Sequence, residues 1–291
     1  MKQAWWLRYR FRFCFLDAAR AGFIQFLAFV VLCMLSLSHA NANEKNLIIG
    51  YGENAYPSYF FENNQWQGMD VEVIERLVQR AQLASDTVSL KIPSIFKTLT
   101  SGRVHIIPNL SKNDKRSEFL DWIGPVRTSA IALITIPEFA HEPITDFDSL
   151  VATTQNTEMK IAYITGTSFS ASMDAKLAEP AFRDTMFFVA EYGAAKRMLK
   201  AGRILGFFYD EFEARAIITA PAQAKKTGFD GFIVHEFRIP RSQAGAYIGV
   251  SRQVPENVRA TLKREFAAMK QSGELHQIAC KWGAVDKASC D

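Results

Sequence analysis

Two successive stretches of this 291-residue chain repeat one plan, and that repetition limits the folds open to it. In the first, the apolar run Leu47-Ile48-Ile49-Gly50 ends on glycine, and an aromatic-rich polar loop follows from Tyr51 to Gln67. Gly68-Met69-Asp70 then opens a helix, with Asp70 as N-cap and Val71, Ile74, Leu77, Val78 and Ala81 along one face. Residues 87–92 alternate as a strand, a helix at 94–101 stops at Gly102, and Val104-His105-Ile106-Ile107 is again a strand. In the second stretch Met159–Ile164 is a strand and Gly166-Thr167-Ser168 opens a helix that runs to Leu177. Met186–Val189 is a strand, a helix over 192–200 stops at Gly202, and Ile204–Phe208 is a strand. The order β-loop-α-β-α-β implies, in each unit, a parallel sheet with helices on its faces.

Two extended stretches, Ser129–Pro137 and Ala244–Val250, connect the units. The spacing then predicts a helix over 255–271, with Val258, Leu262, Phe266 and Met269 on one face. Gly273 breaks it, and a second short helix carries Ile278 towards Trp282. With 48% hydrophobic and 22% charged residues the chain buries one or two sizeable cores, which excludes a disordered or fibrous protein.

The net charge of +4 lies entirely in residues 1–42, where Lys2, Arg8, Arg10, Arg12 and Arg20 outweigh Asp17. The remainder is neutral and lacks the electrostatic footprint of a nucleic-acid binder. The same leader is basic, then apolar over residues 21–37, then small at Ala40 and Ala42. That order reads as a cleavable signal peptide over residues 1–42, cut after Ala40 or Ala42, and places the mature protein in the periplasm. Its alternative is an uncleaved anchor; a lipoprotein is disfavoured by Leu32 before Cys33. The length of the basic segment has no physical account.

Cys14 and Cys33 leave with the leader, so an exported chain keeps Cys280 and Cys290, a pair that reads as a disulfide. No metal or cofactor site is expected, because His105, His141, His235 and His276 are scattered without ligand spacing.

Five blocks in order resemble the bacterial extracellular solute-binding proteins of family 3, over Leu47 to Trp282. They are Tyr56-Pro57-Ser58-Tyr59, Gly68–Val73, Leu99–Val104, Asn109–Trp122 and Gly202–Asp210. The resemblance implies a type II periplasmic-binding-protein fold of the α/β class, with two lobes joined by two extended hinge strands. Lobe I takes residues 43–131 and returns at 241–291, and lobe II takes 132–240. The resemblance further implies a monomer that delivers a small ligand to an inner-membrane ABC permease.

The implied ligand site falls beyond the carboxyl ends of the strands. Arg116 matches the arginine that grips the ligand carboxylate, a task suited to a planar guanidinium; as a plain residue it is one charge in a run with Lys112, Asp114 and Lys115. Ser111 and Asn109 add hydrogen bonds, or serve only the turn. Thr167 and Ser168, at the expected helix start, offer backbone N–H groups to the carboxylate from the other lobe, or simply cap the helix. Asp210 matches the aspartate that accepts the ligand ammonium, or caps the next helix. Tyr56 is assigned to stack on the ligand and Tyr59 to lobe packing.

Departures from the family include Asn113 in place of threonine, and no aromatic within Lys91–Phe96 at the usual stacking position. They suggest an apolar amino acid or another small carboxylate as ligand. No nucleophile-elbow, zinc-protease or P-loop motif is present, and a binding protein rather than an enzyme is expected. The alternatives are a cyclohexadienyl-dehydratase-like enzyme on the same fold and an orphan sensor without a transporter.

Overall fold

Nearly continuous burial marks β1 (Leu47–Tyr51), the first strand of the described residues, in a computed structural model that describes residues 46–285 and 287–290. The signal-peptide reading of residues 1–42 lies outside the described residues. A small hairpin, β2 (Phe60–Glu62) and β3 (Gln65–Gln67), leads into α1 (Met69–Arg80). Then come β4 (Ser85–Ser89), α2 (Ile95–Thr100), β5 (Ile106–Leu110) and the one-turn α3 (Asp114–Ser117). The long strand β6 (Leu120–Thr135) carries the chain out of this unit.

The second unit holds α4 (Phe147–Thr157), β7 (Ile161–Ile164), α5 (Ala171–Ala178), α6 (Pro180–Arg183) and β8 (Met186–Val189). It continues with α7 (Tyr192–Lys200), β9 (Gly206–Asp210), α8 (Glu211–Ile218) and α9 (Pro221–Thr227). Strand β10 (Ile233–Ser251) returns the chain to the first unit, where α10 (Glu256–Gln271) and α11 (Glu274–Lys281) close it.

One eight-stranded sheet runs through both lobes in the order β4-β1-β5-β10-β6-β9-β7-β8. The four outer pairs of crossover type, β1 with β4, β1 with β5 and β7 with both β8 and β9, are parallel, as the repeated plan requires. Strands β6 and β10 are antiparallel to each other and cross from lobe to lobe. The early part of β6 faces Gly245–Ser251, and its later part faces Ile233–Pro240 and β9, with a register shift between Pro240 and Gly245. The fold is therefore α/β with two lobes joined by two extended strands. Both strands are longer than their apolar stretches predict, because each pairs in both lobes.

Each lobe buries apolar side chains on both faces of its part of the sheet. In lobe I, Leu77 and Met269 close one face, while Leu99 and Leu120 close the other. In lobe II, Phe207 and Phe229 lie on one face, Phe182 and Phe208 on the opposite one. The outward ends of the strands are left for polar residues.

Two local expectations are corrected. Asp70 does not cap α1: the N-cap is Gly68, at φ 128°, and Asp70 sits inside the first turn, buried. The loop backbone caps instead, with Met69 N–H donating to Pro57 O (2.9 Å) and Asp70 N–H to Ser58 O (2.8 Å). A Cβ at position 68 would lie 2.5 Å from Ser58 O, so only glycine permits that approach. Gly166-Thr167-Ser168 does not open a helix either: α5 starts at Ala171, with the Ser170 hydroxyl accepting from Met173 N–H. Ser170 wins because its extended backbone and hydroxyl make the cap, whereas the Thr167 hydroxyl turns back to Ile164 O (2.7 Å).

Candidate functional site

A cavity of about 100 Å³ lies between the lobes at the carboxyl ends of β5, β7 and β9. Asn109, Ser111, Arg116, Thr167, Ser168 and Asp210 all line it. Tyr56 does not. It packs its ring 5.1 Å from Phe60 and lines another cavity of about 400 Å³ with Glu53 and Lys196. Tyr59 faces the inter-lobe cavity in its place. Tyr59 also packs on Tyr51 and Trp66 in lobe I, as expected, and its backbone exchanges hydrogen bonds with that of Ala55 across the intervening turn.

Arg116 is delivered by the turn that follows β5. Asn113 caps α3 by accepting from Arg116 N–H at 2.8 Å, which fixes the direction of the side chain. The guanidinium is 7% exposed, its centre is 4.3 Å from the Phe96 ring, and its Nη1 donates to Ser111 O at 2.9 Å. No carboxylate of the described residues forms an ion pair with it. Burial draws its pKa down to about 10, so it stays charged at neutral pH. Phe96, which ends the stretch expected to have no aromatic at the usual stacking position, stacks on Arg116. The Ser111 hydroxyl, buried beside it, has no hydrogen-bond partner.

Asp210 ends β9 and caps α8, accepting from Glu213 N–H (3.3 Å). Its Oδ2 also accepts from the Ser129 hydroxyl (2.6 Å) and Arg127 Nη2 (3.4 Å), and lies 3.3 Å from Arg241 Nη1. Burial works to raise its pKa, but the two arginines and the hydrogen bonds hold it below the usual range. Sequence reasoning missed these arginines. Both are strand residues at the lobe crossover, Arg127 on β6 and Arg241 on β10, and both are buried. A charge inside a β-rich apolar stretch needs a partner, which was the available signal.

The rest of the cluster was also unread. Arg127 Nη1 donates to Asp70 Oδ1 (3.2 Å). Asn109, at φ 58°, donates through Nδ2 to Glu213 Oε1 (2.6 Å) and accepts from Arg241 Nη1 (2.7 Å). Burial, then the Asp210 charge, push the Glu213 carboxyl up to about 8. Glu213 lies one turn after Asp210 on α8, a spacing that puts both carboxyls on one side of the helix start.

Several bonds bridge the cleft. Asn113 Nδ2 donates to Ser168 Oγ (2.9 Å), and Ser168 Oγ donates to Asp174 Oδ2 (2.6 Å). Tyr192 N–H donates to Glu53 Oε2 (3.2 Å), and Lys226 pairs with Glu62. Ser168 therefore meets the opposite lobe through its side chain.

Cys280 and Cys290 form a disulfide. The reading of scattered histidines is corrected at one point, since His276 lies one helical turn before Cys280, with Nε2 3.6 Å from its sulfur. The ligand atoms of His276, Cys280 and Cys290 fall within 4.8 Å of one another, but the sulfurs are joined and Nε2 lies 2.6 Å from Ser289 O.

Residues 47–285 match the bacterial extracellular solute-binding proteins, family 3. The chain belongs to that family. A relative of this family 3 protein is the "Probable amino-acid-binding protein YxeM" of Bacillus subtilis (strain 168), 20% identical over 266 residues, covering 88% of this chain and 90% of the relative. Solved structures share the fold. An ancestral arginine-binding protein bound to arginine matches with a TM-score of 0.64 at 18% identity, covering 82% of this chain and 98% of that one. A periplasmic His/Glu/Gln/Arg/opine family-binding protein from Silicibacter pomeroyi, in complex with lysine, matches at 0.63 and 20%, over 83% and 98%. A histidine kinase sensor domain with similarity to periplasmic binding proteins matches at 0.65 and 18%, over 82% and 96%.

Proposed function

We propose that this protein is a periplasmic receptor that captures one small carboxylate of amino-acid size between its lobes and hands it to an ABC importer. The observation that carries this reading is Arg116. It is a buried, charged guanidinium that lines the inter-lobe cavity, braced by Phe96 and Ser111 O, and it forms no ion pair with a carboxylate of the described residues. Leaving a buried charge unpaired is costly, and a ligand carboxylate removes that cost. Ser111, Asn109, Thr167 and Ser168 surround the same end of the cavity. The hinge pair β6 and β10 lets the lobes part and close on the solute. The protein acts as a monomer, exported through a cleaved leader.

A thermal-shift panel of amino acids and small organic acids tests the reading. A ligand at 100 times its dissociation constant stabilises by about 2.7 kcal/mol. A panel with no response would remove the carboxylate reading.

A second reading, a lyase on this scaffold, is favoured by one observation. Glu213 lines the cavity with its carboxyl raised to about 8, the range suited to a general acid. Following the best-bound ligand by NMR decides it: an unchanged ligand after prolonged incubation supports the receptor, and a new product supports the enzyme.

A further inference from the structure

We propose that the cleft selects a monocarboxylate bearing an oxygen, rather than an ammonium, on its α-carbon: a 2-oxo or 2-hydroxy acid. This rests on the reading that Arg116 grips the ligand carboxylate. The argument is a census of donors and acceptors around the cavity.

Most of the charged acceptors around the cavity already take a donor from the protein. Asp210 Oδ1 accepts from Glu213 N–H, and Oδ2 accepts from the Ser129 hydroxyl and Arg127 with Arg241 Nη1 at 3.3 Å. Glu213 Oε1 accepts from Asn109 and lies 3.5 Å from Arg127 Nη2. The Asn109 side-chain oxygen and backbone carbonyl both accept from Arg241, at 2.7 and 3.2 Å. Glu53 accepts from Tyr192 N–H. An α-ammonium brings three donors and a positive charge, and each needs an acceptor here.

The donors are not all taken. Arg241 Nε is buried without a partner, and so is the Ser111 hydroxyl. Both residues line the cavity with Arg116. Arg241 can only donate, so the group it meets must be an acceptor. An ammonium placed there would lie against the Arg241 guanidinium, whose charge already works against that of Arg116. A carbonyl or hydroxyl oxygen fits instead.

Arg127 and Arg241 pair with Asp70 and Asp210. Glu53 also lines the cavity and the Asp174 charge acts on Arg116, but Arg116 forms no ion pair among the described residues, so a ligand carboxylate is the partner that fits it.

The test uses matched trios that differ only at the α-carbon: pyruvate, lactate and alanine; 4-methyl-2-oxopentanoate, 2-hydroxy-4-methylpentanoate and leucine; phenylpyruvate, phenyllactate and phenylalanine. The purified protein is stripped of bound ligand by partial unfolding and dialysis, then titrated by calorimetry. The oxo or hydroxy acid of the best trio should bind at least tenfold tighter than its amino acid. An amino acid that binds as tightly or tighter overturns this inference and leaves the carboxylate reading standing. No binding by any of the nine, with organic acids outside the trios silent as well, overturns both. In Arg241→Gln the cation beside the α-carbon is gone and Asp210 keeps only Arg127 as its cationic partner, so the preference should shrink or reverse. A folded Arg241→Gln protein that keeps the full preference shows that Arg241 does not set it.

Discussion

Asn109 and Glu213 meet across the two lobes, with 2.6 Å between the amide nitrogen and the carboxyl oxygen. Burial and the neighbouring Asp210 charge raise the Glu213 carboxyl to about 8, against an ordinary 4.5. Between those values the folded protein holds a proton that the unfolded chain has released. Stability therefore falls as pH rises through this window, the reverse of a salt-bridged carboxylate. Arg127, Arg241 and Asp210 face Glu213, and Asp70, whose own carboxyl is raised by burial, adds to the same trend. Glu213→Gln keeps the amide–oxygen contact and removes the titration. Urea midpoints at pH 5, 6.5 and 8 should decline more steeply for the wild type than for Glu213→Gln; parallel declines would show that Glu213 is ionised throughout.

Arg116→Ala should weaken ligand binding severely, with a loss of at least about 30-fold. A truncated partner of a buried, charge-assisted hydrogen bond typically costs about 2–5 kcal/mol. The fold should persist, because Arg116 bonds only Ser111 O and stacks on Phe96. Calorimetry on the folded variant checks this, and wild-type affinity would show Arg116 to be structural.

Asp210→Asn acts on the fold as well as on the ligand. It leaves Arg127 and Arg241 short of one negative charge in a buried cluster, and breaking such a pair costs about 3–5 kcal/mol. Glu213 should then give up its proton more readily, since the Asp210 charge no longer opposes ionisation. Urea unfolding reports the loss, and a change below about 1 kcal/mol would mean the cluster relaxes around the amide.

The Cys280–Cys290 bridge spans ten positions. A loop of that length constrains the unfolded chain by about 2–3 kcal/mol in the entropic account. Cys290→Ser should lower the stability by that amount and leave ligand affinity unchanged, because neither cysteine lines the inter-lobe cavity. An equal loss of affinity would tie the tail to the cleft.

Periodicity, glycine stops and motif order in the sequence determine that this chain forms two α/β units, and they gather six of the seven proposed site residues at one cavity. These signals are local: a stripe on α1, a cap before α3, a strand ending at Asp210. Tyr56 turns away from the cavity that Tyr59 lines, because the direction of a loop side chain depends on the backbone bonds between Ala55 and Tyr59, which no pattern records. The helix start at Ala171 likewise turns on which serine reaches a free N–H. Only the tertiary structure decides that Asp210 is occupied. Arg127 and Arg241 lie 114 residues apart on β6 and β10, and they reach one carboxylate because the two hinge strands run side by side. A buried charge takes whichever partner the fold brings within reach, and that partner is set by strand pairing rather than by distance along the chain.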